Sequence, residues 1–253
     1  MTLPLFVADG PLAPVGGSLV LTGDEGRHAA TVQRIAVGEQ VLVSDGAGAG
    51  VRGKVLATAK DRLELRVLEE LTEPEPRPRL ELVQALAKSG RAEQSIETSV
   101  EIGVDHVVPW EAERSISRWS GPKAAKGRAK WAGVVRAATK QSRRLREAEV
   151  AELVSSAGLA RRIEEGAREG ELTLVLHEVA TDRLLPVLTG LVGDGPVPPV
   201  VRVVIGPEGG ISPRELELLT EAGGHPVLLG PHVLRTSSAG PVALSLVAGA
   251  LRW

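Results

Sequence analysis

The chain has 253 residues, enough for one large or two modest domains with a sizeable buried core. It contains no Cys, which excludes disulfides and thiolate metal sites, and its five His lack metal-ligand spacing, which argues against zinc. The net charge of −2 alone suggests no polyanionic partner. The opening MTLPLFVADG lacks the basic start and apolar run of a signal peptide, and no apolar run is long enough for a bilayer, so a soluble cytoplasmic chain is expected.

Residues 1 to about 71 read as mostly strand. Short runs rich in Val and Leu at 18–21, 40–44, 51–58 and 63–68 are separated by turn signals at Gly16-Gly17, Asp45-Gly46 and Lys60-Asp61. Residues 24–34 read as the one helix here. Short strands with tight turns predict a small β-barrel. Residues 72–78, TEPEPRP, alternate proline with charge and read as a stiff linker, the best domain boundary in the chain.

Beyond it the pattern alternates between strand and helix. Strands are expected at 80–85, 107–109, 172–176, 201–205 and 226–229. Helices are expected at 91–102, with Ile96 and Val100 inward, at 123–144, with Trp131, Val134, Val135 and Ala138 spaced for burial, and at 239–251. Such alternation predicts an α/β domain with a mostly parallel sheet and helices on both faces.

Charge is unevenly placed. From Arg114 to Arg146 there are 11 Lys or Arg and no Asp or Glu, leaving 19 basic against 32 acidic residues elsewhere. A solvated helix face is the plain explanation, but 33 residues without an acid favour a phosphate-binding surface.

Two segments near the C-terminus carry the chemistry. The strand at 201–205 runs into Gly206-Pro207-Glu208-Gly209-Gly210, whose glycines permit positive φ and close ligand approach. Ser212, Pro213 and Glu215 then form a helix start with a capping box. The loop is neither a Walker loop nor GxGxxG, and a glycine turn without a ligand is its plain alternative. The second strand ends at Gly230, and Leu234-Arg235-Thr236-Ser237-Ser238 offers a cation, hydroxyls and backbone N–H groups before the last helix, a start that favours an anion. Arg235 has a structural alternative, capping a carbonyl or pairing with Glu208. Two such loops predict one ligand pocket at the ends of neighbouring parallel strands.

These residues resemble the signature of the SPOUT-superfamily 16S rRNA uridine N3-methyltransferase family. The carrying segments are IGPEGG at 205–210 with Glu215, and LLGPHVLRT at 228–236. Other segments agree in order: His28 with Val32-Gln33-Arg34, Lys88 with Ser95-Ile96 and Glu101-Ile102-Gly103-Val104, Glu113-Arg114-Ser115, Gln141-Ser142 with Arg144, and Leu176-His177-Glu178. The resemblance implies an N-terminal PUA-like β-barrel over 1–72 that helps hold RNA, a linker over 73–78, and over 79–253 a SPOUT α/β domain with a C-terminal deep trefoil knot. It also implies a homodimer, with no membrane and no metal, and methylation by S-adenosyl-L-methionine of N3 of one 16S rRNA uridine (uracil 1498 in the usual rRNA numbering), on the 30S subunit.

Carried over by position, the resemblance assigns the cofactor to Leu176, His177, Gly206, Glu208, Gly209, Leu229, Gly230, Leu234 and Thr236, and RNA phosphates to His28, Arg34, Lys88, Arg114, Arg143 and Arg144. His28 has a plain helix-surface alternative. Arg235 is the candidate for stabilising the uracil anion, and no residue stands out as general base. The sequence departs from the family pattern at Ser237, where Glu is usual, at Glu97-Thr98 and at Lys140. The first removes a carboxylate near the pocket, and Ser237 is expected to cap the last helix instead. A different RNA target, or a non-catalytic ribosome-assembly factor keeping the fold, are the rival functions.

Overall fold

The computed structural model describes residues 3–192 and 196–253, so the first two residues of the expected first domain lie outside the described residues. The chain divides into two compact units. One runs to Glu75 and also takes in Thr139–Glu147; the other comprises Pro76–Ala138 and Ala148–Trp253.

The first unit is built on a five-stranded sheet of β1 (Leu5–Val7), β2 (Ser18–Leu21), β3 (Gln40–Ser44), β4 (Ala49–Ala59) and β5 (Arg62–Thr72), in the order β1-β3-β4-β5-β2. Only β1–β3 is parallel. The expected barrel is not closed here: β1 and β2 end the hydrogen-bonded path, and no pairing between them completes a ring among the described residues. Alternation fills one side of the sheet with Val41, Val43, Val51, Val55, Leu63, Leu65 and Val67 around Phe6. The expected helix at 24–34 is shorter: α1 (Gly23–Arg27) passes into a π-helical turn at His28–Val32, and Arg34 leaves in the left-handed region at φ 54°.

Thr139–Glu147 joins this unit through specific bonds. Lys140 Nζ donates to the buried Glu25 carboxylate at 2.7 Å, Ser44 Oγ donates to the Leu145 carbonyl at 2.6 Å, and Glu73 accepts from the backbone N–H groups of Leu145 and Arg146. The carboxyl end of the basic stretch, including the last four residues of the long helix, is therefore part of the first unit.

The second unit holds a seven-stranded sheet of β6 (Arg79–Ala85), β7 (His106–Glu111), β8 (Glu149–Val150), β9 (Val154–Ser155), β10 (Leu172–Leu176), β11 (Val200–Ile205) and β12 (His225–Val227). Its order is β12-β10-β11-β6-β7-β8, with β9 also on β7, and every pairing is parallel. The helices are α2 (Arg91–Ile102), α3 (Pro122–Ser142, of which residues 139–142 belong to the first unit), α4 (Ser156–Arg168), α5 (Leu184–Leu191), α6 (Pro213–Glu221) and α7 (Thr236–Leu251). Leu80, Leu82, Val201, Val203 and Leu174 pack with α2, α5 and α7 on one face; Val83, Val175 and Val204 pack with Leu159, Ile163 and Leu219 of α4 and α6 on the other. This is the layered arrangement that the strand–helix alternation predicts. Trp131, Val135 and Ala138 are buried as their spacing requires, and Val134 is half-buried.

On the α4 face the apolar pattern is broken by one charged row. Thr173, Arg202, Glu81 and His106 occupy adjacent register positions on β10, β11, β6 and β7. The Arg202 guanidinium donates to Glu81, Thr173 and Glu171, while Arg162 from α4 and His106 also reach Glu81. Burial pushes the Glu81 carboxyl up, but hydrogen bonds from His106 and Arg162 and the charges of Arg202 and Arg162 outweigh it and hold it well below the usual carboxylate range.

Candidate active site

The carboxyl ends of β10, β11 and β12 release three loops on the same edge of the parallel sheet. Between them lies a cavity of about 780 Å3, within the range for small-molecule sites. Leu176, His177, Gly206, Glu208, Gly209, Leu229, Gly230, Leu234 and Thr236 all line it, as does Arg235. Tertiary structure thus brings together every residue assigned to the cofactor and the one assigned to the uracil anion.

The loop after β11 is fixed at both ends. Ser212 caps α6: its hydroxyl accepts from the Glu215 N–H, and the Glu215 carboxylate accepts from the Ser212 N–H, a complete capping box with Pro213 at the first helical position. Glu215 is 1% exposed and also accepts from the Glu113 N–H and the Ser156 hydroxyl, so it ties three segments together. Of the three loop glycines only Gly210 has positive φ, at 71°. Gly206 and Gly209 are small for packing, not for left-handed backbone: a Cβ would stand 2.8 Å from Ile211 Cγ1 and 3.0 Å from Arg114 Cβ respectively.

The loop before α7 is latched to the first. Thr236 Oγ1 donates to the Gly206 carbonyl at 2.9 Å and accepts from Gln84 Nε2 at 2.9 Å. The helix therefore begins at Thr236, three residues before its expected start. Ser237 is its buried second residue and does not cap it; Arg235 holds the N-cap position without a side-chain cap bond. The expected strand at 226–229 ends at Val227, which frees Leu229 to line the cavity.

Arg235 does not pair with Glu208. Glu208 Oε1 accepts instead from the Lys88 backbone N–H at 3.1 Å and from Arg91 at 3.3 Å. Arg114, expected on RNA, also lines the cavity and donates to the Gly209 carbonyl at 3.1 Å. His177 accepts from the Val179 N–H at Nδ1 and donates to the Ile211 carbonyl at Nε2, 3.4 Å, so its ring joins the loop after β10 to the loop after β11. Arg235 is exposed and has no side-chain partner among the described residues. Arg91 is the functional candidate that sequence reasoning missed; its position one turn after Lys88 is the only local signal.

The remaining RNA candidates fall in both units. His28, bonded to Gln33 and edge-on to Phe6, lies in the first with Arg34, Arg143 and Arg144; exposed Lys88 lies in the second. Arg34 and Arg143 are exposed and left-handed, at φ 54° and 60°, a backbone state that costs non-glycine residues energy. Among the described residues no group of three or more acidic, His or Cys side chains could hold a metal, and no helix is long and apolar enough to cross a membrane.

The RNA methyltransferase domain family matches residues 73–248, and the RNA methyltransferase PUA domain family matches residues 21–68. Ribosomal RNA small subunit methyltransferase E of Mycobacterium tuberculosis is 43% identical over 247 residues, 98% of this chain and 92% of that relative. The chain belongs to the RNA methyltransferase family. The Bacillus subtilis relative of the same name is 28% identical, covering 90% of this methyltransferase and 88% of its own length. Among solved structures, a putative methyltransferase of Legionella pneumophila in complex with bound cofactor SAM superposes on this methyltransferase with TM-score 0.85 at 28% identity, covering 99% and 98% of the two chains. Ribosomal RNA small subunit methyltransferase E of Neisseria gonorrhoeae, bound to S-adenosyl methionine, gives 0.83 at 28%, covering 98% and 97%.

Proposed function

We propose that this methyltransferase transfers the methyl group of S-adenosyl-L-methionine to N3 of a single uridine, uracil 1498, of 16S rRNA in the 30S subunit. The observation that carries the proposal is the single cavity where all nine assigned cofactor residues and Arg235 meet. The donor set fits that cofactor: apolar walls from Leu176, Leu229 and Leu234 suit an adenine, and the start of α7 suits a carboxylate. Gly230 leaves room in the wall, since a Cβ there meets no atom within 4 Å. Gly230→Val is expected to weaken S-adenosylmethionine binding by about 10-fold or more, the scale of an overpacking penalty. Unchanged affinity by calorimetry would remove Gly230 from the site.

S-adenosylmethionine supplies an electrophilic methyl group when bound. The chain's own part is orientation and charge. Uracil N3 must lose its proton, and the anion spreads to O2 and O4. Arg235 has no side-chain partner among the described residues, whereas Arg91 is paired with the Glu208 carboxylate and Arg114 is oriented by the neutral Gly209 carbonyl and assigned to an RNA phosphate, so Arg235 is assigned to that anion. His177 and Glu208 are bound into the loops and serve as positioning groups; the proton passes to water. Because N3 lies on the pairing edge, the target base must be splayed from its stack.

RNA phosphates are assigned to His28, Arg34, Arg143 and Arg144 of the first unit, and to Lys88 and Arg114 of the second. The boundaries 1–72, 73–78 and 79–253, the trefoil knot around the cofactor, a PUA-like barrel, a cytoplasmic location and a homodimer belong to the same proposal, the last testable by light scattering. Arg143→Glu with Arg144→Glu is expected to weaken 30S binding and flatten its log–log salt slope by about 1.4–1.8 for two lost phosphate contacts. Cofactor affinity should hold, and an unaltered slope would exclude these contacts. Nucleotide-resolution mapping of rRNA with and without the gene tests the whole proposal. A methyl mark that persists at that uridine without the gene would sink it.

A further inference from the structure

A second, separate cavity of about 240 Å3 lies wholly within the second unit. Trp119 and Trp131 form its aromatic wall, edge to face, with ring centroids 5.0 Å apart at 71°. Trp131 is 1% exposed, but Trp119 is only half-buried. The Trp119 ring is seated against α3, where a Cβ on Gly127 would stand 2.4 Å from it. The polar wall holds the Glu93–Lys130 ion pair and Ser117, whose hydroxyl donates to the Ala87 carbonyl and keeps its acceptor lone pairs.

Two stretches of chain serve both cavities. Residues 86–93 give Arg91 to the first and Ser89, Gly90 and Glu93 to the second; residues 114–119 give Arg114 to the first and Ser117 and Trp119 to the second. The two cavities are therefore neighbours along both segments.

We infer that the Trp119–Trp131 cavity takes a nucleobase of the RNA substrate, the neighbour of the methylated nucleotide, stacked on Trp119. The inference rests on the RNA methyl-transfer proposal above. A flat aromatic ligand suits a fixed indole face, the carboxylate of Glu93 and the ammonium of Lys130 are an acceptor and a donor for a base edge, and exposed Lys88 stands on the connecting loop for the phosphate. The occupant is not the methylated base, whose N3 must meet the methyl donor in the first cavity. An apolar packing void would not be lined by an ion pair and a hydroxyl.

The test uses the full-length protein and an RNA oligonucleotide spanning the methylation site, with 2-aminopurine placed on either side of the target uridine. Binding is expected to quench the fluorescence at one of the two positions. Trp119→Leu should abolish that quenching and weaken RNA binding by about 5- to 150-fold, the loss of one base–aromatic stack. Trp119→Phe should restore most of the affinity. S-adenosylmethionine affinity, read by calorimetry, should be unchanged in each and reports folding. Should Trp119→Leu fail to fold, Glu93→Gln, which leaves the rings in place, is expected to weaken binding about 5-fold or more. Wild-type RNA affinity in the folded variants, with no quenching at either position, overturns the inference. Quenching and its loss in Trp119→Leu without any methyl transfer would support this site and refute the proposed reaction instead.

Discussion

Arg235→Ala is expected to slow single-turnover methyl transfer by about 10²–10³-fold, the scale set by removing one preorganised charge partner from a developing anion. Its position explains the size of the effect. Arg235 holds the N-cap position of α7, on the cavity wall, between the latch at Thr236 and the loop that carries Leu234. It has no side-chain partner among the described residues, so its charge is available to the substrate. The helix does not depend on it, because no side-chain cap bond is made there and the Thr236–Gly206 bond remains. S-adenosylmethionine affinity and thermal stability should therefore be close to those of the parent. Equal single-turnover rates for Arg235→Ala and the parent would exclude the assignment. Arg235→Lys should recover part of the rate, since a point charge at the same place lacks only the planar fork.

The second large effect is on stability, far from that chemistry. Glu81→Gln is expected to destabilise the protein by about 3–5 kcal/mol, because it leaves the buried Arg202 charge without its main counter-ion. Arg202 and Glu81 are 2% and 3% exposed at the side chain, and Arg202 would keep only Glu171 and Thr173. The urea midpoint should fall with little change in slope; an unchanged midpoint would show that the row contributes nothing. The pH dependence has a definite sign. The Glu81 carboxyl is held below its unfolded value of 4.5, so its contribution is complete above that pH and is lost as pH falls toward the depressed folded value. In Glu81→Gln that part of the acid destabilisation should disappear, which denaturant melts at pH 3 to 6 would reveal.

Much of the site is written in local sequence. Ser212, Pro213 and Glu215 spell a helix start because a capping box satisfies N–H groups within four residues, whatever surrounds them. The strand–loop segments at 205–210 and 228–236 reveal themselves by apolar runs ending in glycine. The strands at 18–21, 40–44 and 172–176 and the helix at 91–102 coincide with their apolar patterns. What escapes is whatever depends on a distant partner. Leu5–Val7 is too short for a pattern and is a strand only because it pairs with β3. The early start of α7 follows from a hydroxyl reaching Gly206, thirty residues away. Helices α4 and α5 and strands β8 and β9 are not among the elements expected from the sequence, although Leu159, Ala160 and Ile163 give α4 an apolar face; β8 and β9, two residues each, exist only through their pairing with β7.

The sequence by itself determined the order of elements, the two loops, the uneven charge and the likeness to a methyltransferase family, since each is a property of residues adjacent in the chain. The tertiary structure decided which cations are free and which are engaged. Glu208 turns to Arg91 across 117 positions, Glu81 turns to Arg202 across 121, and Thr139–Glu147 joins the first unit through Glu25, Ser44 and Glu73. Such pairings follow from sheet register and chain return, which bring distant charges within 3 to 4 Å, where Coulomb attraction in a partly desolvated setting outweighs their sequence separation. No local rule encodes that choice of partner, and it is the choice that leaves Arg235 with its charge available in the cavity.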